Sequence, residues 1–168
     1  MSASPKLGNV IAPNLEWVAK VTEEALEPGL PIVDPHHHLW QRTGNDYMFH
    51  DLLADTQTGH NIVATVFVDC HSMYRKDGPA ELRCLGETEF ANGVAAMSAS
   101  GLYGNLRACA GIVSHVDLRL GAKAGAVLDA QIAAGLRHRY PALPDKLDRL
   151  DLELSIEPSS LHDPPPAS

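Results

Sequence analysis

Two histidines separated by a single residue are the sharpest chemical signal in this sequence. His36 and His38 lie in the segment DPHHH, residues 34–38, directly after the apolar run at residues 30–33. Side chains at positions i and i+2 of a strand point to the same face, so we expect His36 and His38 to point together and His37 to point away. Two imidazoles at the end of a strand are suited to bind a first-row divalent metal, and the pair predicts a metal site.

A metal site of this kind needs an acceptor that fixes the tautomer of each ring, and Asp34 is close enough in sequence to be considered for that role. The run of three histidines is also compatible with a solvated surface turn or with a partly buried polar cluster. Substitution separates these interpretations, because the metal hypothesis fails if His36→Ala and His38→Ala leave metal binding unchanged.

Strands and helices alternate along the chain. Three apolar runs predict buried strands, and each is followed by a segment that predicts a helix. Asn14 is a suitable cap for an additional N-terminal helix, which the dipeptide Pro28-Gly29 ends. The predicted strands cover residues 30–33, 62–68 and 106–113, and the predicted helices cover residues 14–26, 49–57, 87–98 and 124–134.

This alternation predicts βαβ units and a parallel sheet, since successive strands begin roughly 30–45 residues apart. Polar residues at the carboxyl ends of the strands fit a TIM-type barrel, whose chemistry lies on the loops that follow the strands. A doubly wound sheet fits the pattern almost as well. No glycine-rich phosphate loop follows the first strand, which removes most of the support for nucleotide binding.

Further polar residues follow the second and third strands. Asp69 and His71 come after the second strand and His115 comes after the third, on the edge where active-site groups of such a sheet would lie. Their functional interpretation is substrate contact or proton transfer, and the alternative is that they are ordinary polar loop residues. Arg75 has the chemistry to hold a substrate carboxylate by a bidentate contact, or to be a solvated loop residue.

Composition excludes several classes of protein. A formal net charge of −8 over 168 residues argues against nucleic-acid binding, which needs clustered Lys and Arg. No stretch approaches the ~18 apolar residues of a membrane span, and the N-terminus lacks a signal-like segment, so we expect a cytoplasmic protein without a membrane partner. The three cysteines form no CxxC pair, which favours reduced thiols over a disulfide framework.

Four segments of the chain resemble the amidohydrolase-related (amidohydrolase 2) family: IVDPHHHLW, GHNIVATVFVDCHSMYR, GETEFANGVAAMSASG and RACAGIVSHVDLRLG. The resemblance extends over residues 31–135. It implies a TIM-barrel hydrolase that acts on a small carbonyl compound such as a lactone, an amide or a carboxylated ring. It also implies that His36 and His38 are metal ligands, with zinc as the expected metal, and the wording IVSHVDL makes His115 the catalytic candidate. His71 and Arg75 are the candidates for substrate binding.

The fold class that we expect is therefore α/β, with a partial (β/α)8 TIM-type barrel of three to four βα units at residues 31–135. A helical extension at residues 1–30 precedes it, and a divergent, partly disordered segment at residues 136–168 follows. A complete barrel takes ~250 residues, so we expect the isolated chain to be inactive.

Two alternatives to the hydrolase remain open. One is a non-catalytic remnant or interaction module that self-associates through an open barrel edge or docks on a partner. The other is a simple metal-binding protein that uses the three consecutive histidines alone.

Overall fold

The computed structural model of the chain describes residues 14–135 and consists of three strands that alternate with helices. The predicted strands, and the helices predicted after residue 30, are confirmed. In chain order the elements are α1 (Leu15–Val18), β1 (Pro31–His37), α2 (Phe49–Thr56), β2 (Asn61–Val68), α3 (Leu85–Ala99), β3 (Arg107–Val113) and α4 (Ala124–Gly135), with short 3-10 helices at Ala80–Leu82 and Leu118–Lys123.

The strands form one open, all-parallel sheet in the order β1-β2-β3. The predicted partial TIM-type barrel is therefore wrong, although the α/β class and the parallel sheet are right. A barrel closes only when each strand pairs on both sides around a ring of tilted strands. Within residues 14–135, β1 and β3 each pair on one side only, so the sheet has two free edges.

Three register shifts interrupt the sheet, and the first lies between Ile32 and Val33 of β1. The second lies between Asp34 and His37, at a segment that contains Pro35, which has no N–H to donate to a ladder. The third lies between β2 and β3, where Cys109 has a φ of 52° and its N–H donates to the Thr65 hydroxyl at 3.1 Å. An extra residue of this kind bends a strand and redirects its side chains.

The helices cover one face of the sheet. Phe67 of β2 and Ala108 of β3 pack there against Leu52 of α2 and Val94 of α3, in a core that also contains Leu39. Val33 and Val113 are exposed strand residues. His36 lies on the face opposite the buried His37, because successive side chains of a strand alternate. The face that no helix covers within residues 14–135 therefore carries His36 at its carboxyl edge.

The N-terminal helix is much shorter than predicted. Asn14 caps it as expected, because its Oδ1 accepts the N–H of Trp17 at 3.0 Å, but the helix ends at Val18. The apolar stripe that predicted a longer helix packs on no surface among the described residues, since Val21 is 68% and Leu26 97% exposed. A short helix without tertiary packing is marginal in water, which explains why the pattern was misleading here.

Two of the sequence-based expectations fall wholly or partly on residues that the structure does not describe. The divergent, partly disordered segment at residues 136–168 lies outside the described residues, as do residues 1–13 of the helical extension. Within residues 14–135, none of the helices combines the length and the apolar character that crossing a bilayer requires.

Candidate metal centre

His36 and His38 point together at the carboxyl end of β1, as the two-residue spacing predicts. Their Nε2 atoms lie 3.2 Å apart, and the two rings meet edge to face with centroids 4.8 Å apart. Zn–N bonds of 2.0–2.1 Å in a tetrahedral site place two ligand nitrogens about 3.3 Å apart. The observed separation is close to this value, and at 3.2 Å the two nitrogens are also within hydrogen-bond distance of each other in the absence of a metal.

The tautomer of His38 is set by the neighbouring strand. Its Nδ1 lies 2.8 Å from the carbonyl oxygen of Val68, and this contact is a hydrogen bond only when Nδ1 carries the proton. In the neutral ring, Nε2 is then left with a free lone pair, which is the form that a metal requires. Asp34 does not orient a ring as considered from the sequence, because its Oδ1 accepts the backbone N–H of His36 at 3.0 Å.

His37 points away from His36 and His38, as predicted, and the structure places it in the core. It is buried against the Phe67 ring, with centroids 5.7 Å apart, and its Nε2 lies 3.7 Å from the sulfur of Cys109. Burial lowers the pKa of His37 below 6.5, since the charged ring would lose its hydration. His37 is therefore a neutral packing residue that fixes which way its two neighbours point.

A second cluster lies beside this pair, at the ends of β2 and β3. Asp69, His71 and His115 each offer one ligand atom, and these atoms lie within 4.8 Å of one another. The closest approach is between Asp69 Oδ1 and His71 Nδ1, at 3.2 Å. The rings of His71 and His115 are 4.8 Å apart between centroids. The structure thus brings together Asp69, His71 and His115, which the sequence singled out as polar residues after the second and third strands.

Glu87 of α3 forms hydrogen bonds with the loop that carries His71. Its Oε1 accepts the N–H groups of Cys70 and Ser72, both at 3.0 Å, so the backbone is pinned on each side of His71. This loop is tightly curved, since His71 has a φ of 61° and Met73 a φ of 54°, in a region that non-glycine residues rarely adopt. The hydrogen bonds to Glu87 oppose this strain and fix the direction of the His71 ring.

Glu87 is buried, at 2% exposure. Burial, together with the neighbouring Asp69, raises the pKa of Glu87 to about 8, so its carboxyl is predominantly protonated at neutral pH. Its second oxygen, Oε2, is buried without a hydrogen-bond partner among the described residues. A neutral Glu87 therefore supports the loop without adding a second negative charge next to Asp69.

Gly86 allows α3 to approach this loop closely. A Cβ at Gly86 would lie 2.4 Å from the carbonyl oxygen of Met73 and 2.7 Å from the nitrogen of Arg75, both of which are backbone atoms. Tyr74 lies between these two residues, donates its hydroxyl to Asp69 Oδ2 at 3.0 Å and stacks on His71. A side chain at Gly86 would thus displace the segment that holds Asp69 and His71 in place.

His115 is positioned from the other side by a buried polar network. Gln131 of α4 donates to the carbonyl oxygen of His115 at 3.1 Å and accepts from the Thr88 hydroxyl at 2.6 Å. Thr88 is also 2.8 Å from the hydroxyl oxygen of Ser114. Thr88 and Gln131 therefore link α3 and α4 to the end of β3, and the backbone of His115 is held by both helices.

Arg75 is engaged elsewhere. Its guanidinium pairs with the carboxylate of Glu89 on α3, where both side chains are about half exposed. A role in binding a substrate carboxylate would require this pair to separate. The structure places Arg75 beside the candidate centre, but it directs the guanidinium toward α3.

A cavity among residues 14–135 lies at the opposite edge of the sheet. It has a volume of about 470 Å³ and is lined by His60, Asn61 and Leu106, among other residues near the amino ends of β2 and β3. The histidines lie at the carboxyl ends of the same sheet, so the two features are on opposite edges. The candidate metal centre is an open, solvent-facing site.

Sequence reasoning missed the residues that position the cluster of Asp69, His71 and His115, which are Tyr74, Gly86, Glu87, Thr88 and Gln131. A signal was available for Glu87, because it lies four residues before Ala91 and seven before Val94, on the buried stripe of α3. A carboxyl group on an apolar stripe indicates a buried polar role. No comparable signal marks Gly86, because its close neighbours come from a loop whose path the sequence does not reveal.

Comparison with known proteins adds no relative. No protein-family model matches the chain, and no curated protein or solved structure does so either. The resemblance to amidohydrolase-related proteins therefore stays a prediction.

Proposed function

We propose that this chain carries the metal-binding part of a metal-dependent hydrolase of the amidohydrolase-related kind, which acts on a small carbonyl compound such as a lactone, an amide or a carboxylated ring. The observation that carries the proposal is the pair of converging Nε2 atoms of His36 and His38, 3.2 Å apart. The resemblance of residues 31–135 to that family supports it independently of the geometry.

In this proposal His36 and His38 bind zinc through Nε2, and the Val68 carbonyl keeps the His38 proton on Nδ1. A bound divalent ion supplies Lewis acidity, which polarises a substrate carbonyl and lowers the pKa of water. His115 follows β3, which is separated from β1 by β2, and its imidazole has the chemistry to accept or donate a proton. His71 is half exposed beside it and is available to contact the substrate.

The experiment has two parts, both on the full chain. Zinc binding to metal-free protein is measured by calorimetry for the wild type, His36→Ala and His38→Ala, with His60→Ala as the matched control at the opposite edge. We expect each ligand variant to weaken binding at this site by at least tenfold and the control to leave it unchanged. Unchanged binding in both ligand variants would overturn the proposal.

The second part measures zinc-dependent hydrolysis of a panel of small lactones and amides. The open edge does not enclose a substrate among the described residues, so we expect slow turnover or none from the isolated chain. Turnover that is abolished by EDTA and by His36→Ala would establish the hydrolase directly. Turnover that persists in the presence of EDTA would contradict a metal-dependent mechanism.

A second candidate function, self-association, is favoured by the uncovered sheet face. Within residues 14–135, Val33 and Val113 are 37% and 47% exposed, and β1 and β3 have unpaired edges. Exposed apolar strands and free edges favour pairing with another chain. Sedimentation velocity decides this: a monomer at all concentrations would exclude self-association, and a reversible dimer weakened by Val113→Lys would support it.

A further inference from the structure

We propose that Asp69, His71 and His115 form a second divalent-cation site, separate from the His36/His38 pair. In a chain that holds a cation there, His71 and His115 are ligands and do not contact the substrate or transfer protons. The cluster combines one carboxylate with two imidazoles, a donor set that binds first-row metals such as Zn²⁺, Fe²⁺ or Co²⁺ and leaves positions open for water or a substrate. The three ligand atoms lie within 4.8 Å of one another. Bringing them to bonding distance of one ion needs side-chain rotation but no change in the sheet.

The sheet topology is what makes this cluster persistent. Asp69 directly follows β2, and its N–H donates to the carbonyl oxygen of Val113, the last residue of β3, at 2.9 Å. This hydrogen bond extends the strand ladder by one step and fixes Asp69 next to the segment that leads to His115. The backbone pairing of β2 with β3 therefore brings Asp69 and the segment that leads to His115 to the same edge of the sheet.

Each ligand also has its own support. Tyr74 donates to Asp69 Oδ2, which leaves Oδ1 facing His71 Nδ1 at 3.2 Å. Glu87 pins the backbone on both sides of His71, and Gln131 holds the carbonyl oxygen of His115. Partners that orient metal ligands in this way are typical of metal sites. A simple Asp–His ion pair would explain the contact between Asp69 and His71, but it needs no second ring beside it.

The exposed side chain of His71 allows a cation to reach the site from the solvent. The side chain of His71 is 52% exposed and that of Asp69 is 12% exposed. The Asp69 carboxylate offers an oxygen donor, and the rings of His71 and His115 offer two nitrogen donors. The site thus combines the Asp69 carboxylate, which Tyr74 orients, with the His71 ring, which is exposed to the solvent.

The test counts bound metal in the full chain. Metal-free protein is titrated with Co²⁺, followed by its absorption spectrum, and with Zn²⁺, followed by calorimetry. Two double variants are compared. His71→Asn combined with His115→Ala removes the second site, and His36→Ala combined with His38→Ala removes the first. The single variant His60→Ala is the control. Asn is chosen at position 71 because it tolerates the left-handed backbone that His71 adopts.

Two equivalents in the wild type and one in each double variant are the expected result. One equivalent that survives in the His36/His38 variant and is lost in the His71/His115 variant supports the second site while refuting the proposed function. If the wild type binds one equivalent and both double variants bind none, the two clusters form a single shared centre. If the His71/His115 variant binds as many equivalents as the wild type, there is no second site. Either of these last two results overturns the inference.

Two further measurements keep the test decisive if the double variant fails to fold. Tyr74→Phe removes only the hydroxyl that orients Asp69, and we expect it to weaken binding at the second site by roughly 10–100-fold while leaving the first site unchanged. In the wild type, the imidazole nitrogen signals of His71 and His115 should shift on addition of Zn²⁺. Unmoved signals at saturating Zn²⁺ would overturn the inference without any substitution.

Discussion

The close approach of α3 to the loop that carries His71 is tested by adding one methyl group at Gly86. In the Gly86→Ala variant, the new Cβ would lie 2.4 Å from the oxygen of Met73 and 2.7 Å from the nitrogen of Arg75. Both atoms are backbone, so relief requires the loop to move away from the helix. Overpacking of this kind costs about 1–3 kcal/mol, whereas the better helix propensity of alanine returns about 0.5–1 kcal/mol.

Gly93 provides the matched control, because it lies in the same helix and a Cβ there would meet no atom within 4 Å. We expect Gly93→Ala to raise the free energy of unfolding by about 0.5–1 kcal/mol. The two variants share the gain in propensity, so their difference of about 1–3 kcal/mol isolates the steric cost. Urea denaturation measures both. Equal stability of the two variants would refute the packing of the loop on α3.

Three further predictions concern buried polar groups, and the two pH experiments use metal-free protein. The pKa of Glu87 is raised to about 8 in the folded protein, so between about pH 4.5 and 8 only the folded state keeps this proton, and stability falls as pH rises. Glu87→Gln should remove up to about 1.4 kcal/mol per pH unit of that slope in urea titrations, and an unchanged slope would contradict the assignment. The pKa of His37 is lowered, so below pH 6.5 the unfolded state gains a proton first and stability falls with pH. His37→Leu should flatten this acid limb, and an equally steep limb in the variant would show that His37 is not responsible. Gln131 joins Thr88 to the carbonyl of His115, so Gln131→Ala should lower the free energy of unfolding by about 1–3 kcal/mol, and a loss below about 0.5 kcal/mol would show that the network is not formed.

Local periodicity was sufficient to predict the strands, the helices after residue 30 and the direction of the histidines. The alternation of side chains along β1 places His36 and His38 together and His37 in the core, because the strand period is fixed by backbone geometry. Parallel pairing then brings the strand ends to one edge, where Asp69 and His115 also lie. These features depend on short-range geometry that a single sequence contains.

Long-range arrangement was not predictable in the same way. Strands and helices alternate both in a barrel and in an open sheet, so the pattern was compatible with either fold. Within residues 14–135 the sheet is open. The apolar stripe around Val21 predicted a long helix because sequence alone does not show whether a packing surface exists. The partners of Arg75 and Gly86 come from segments whose approach is decided by tertiary packing.

The central claim is that His36 and His38 converge on one metal ion, and anomalous diffraction at the zinc edge tests it most directly. The measurement uses crystals of the full chain grown with Zn²⁺. The account predicts an anomalous peak at about 2.0–2.1 Å from the Nε2 atoms of both His36 and His38. Full-occupancy zinc elsewhere on the chain, with no peak between these two nitrogens, would contradict it.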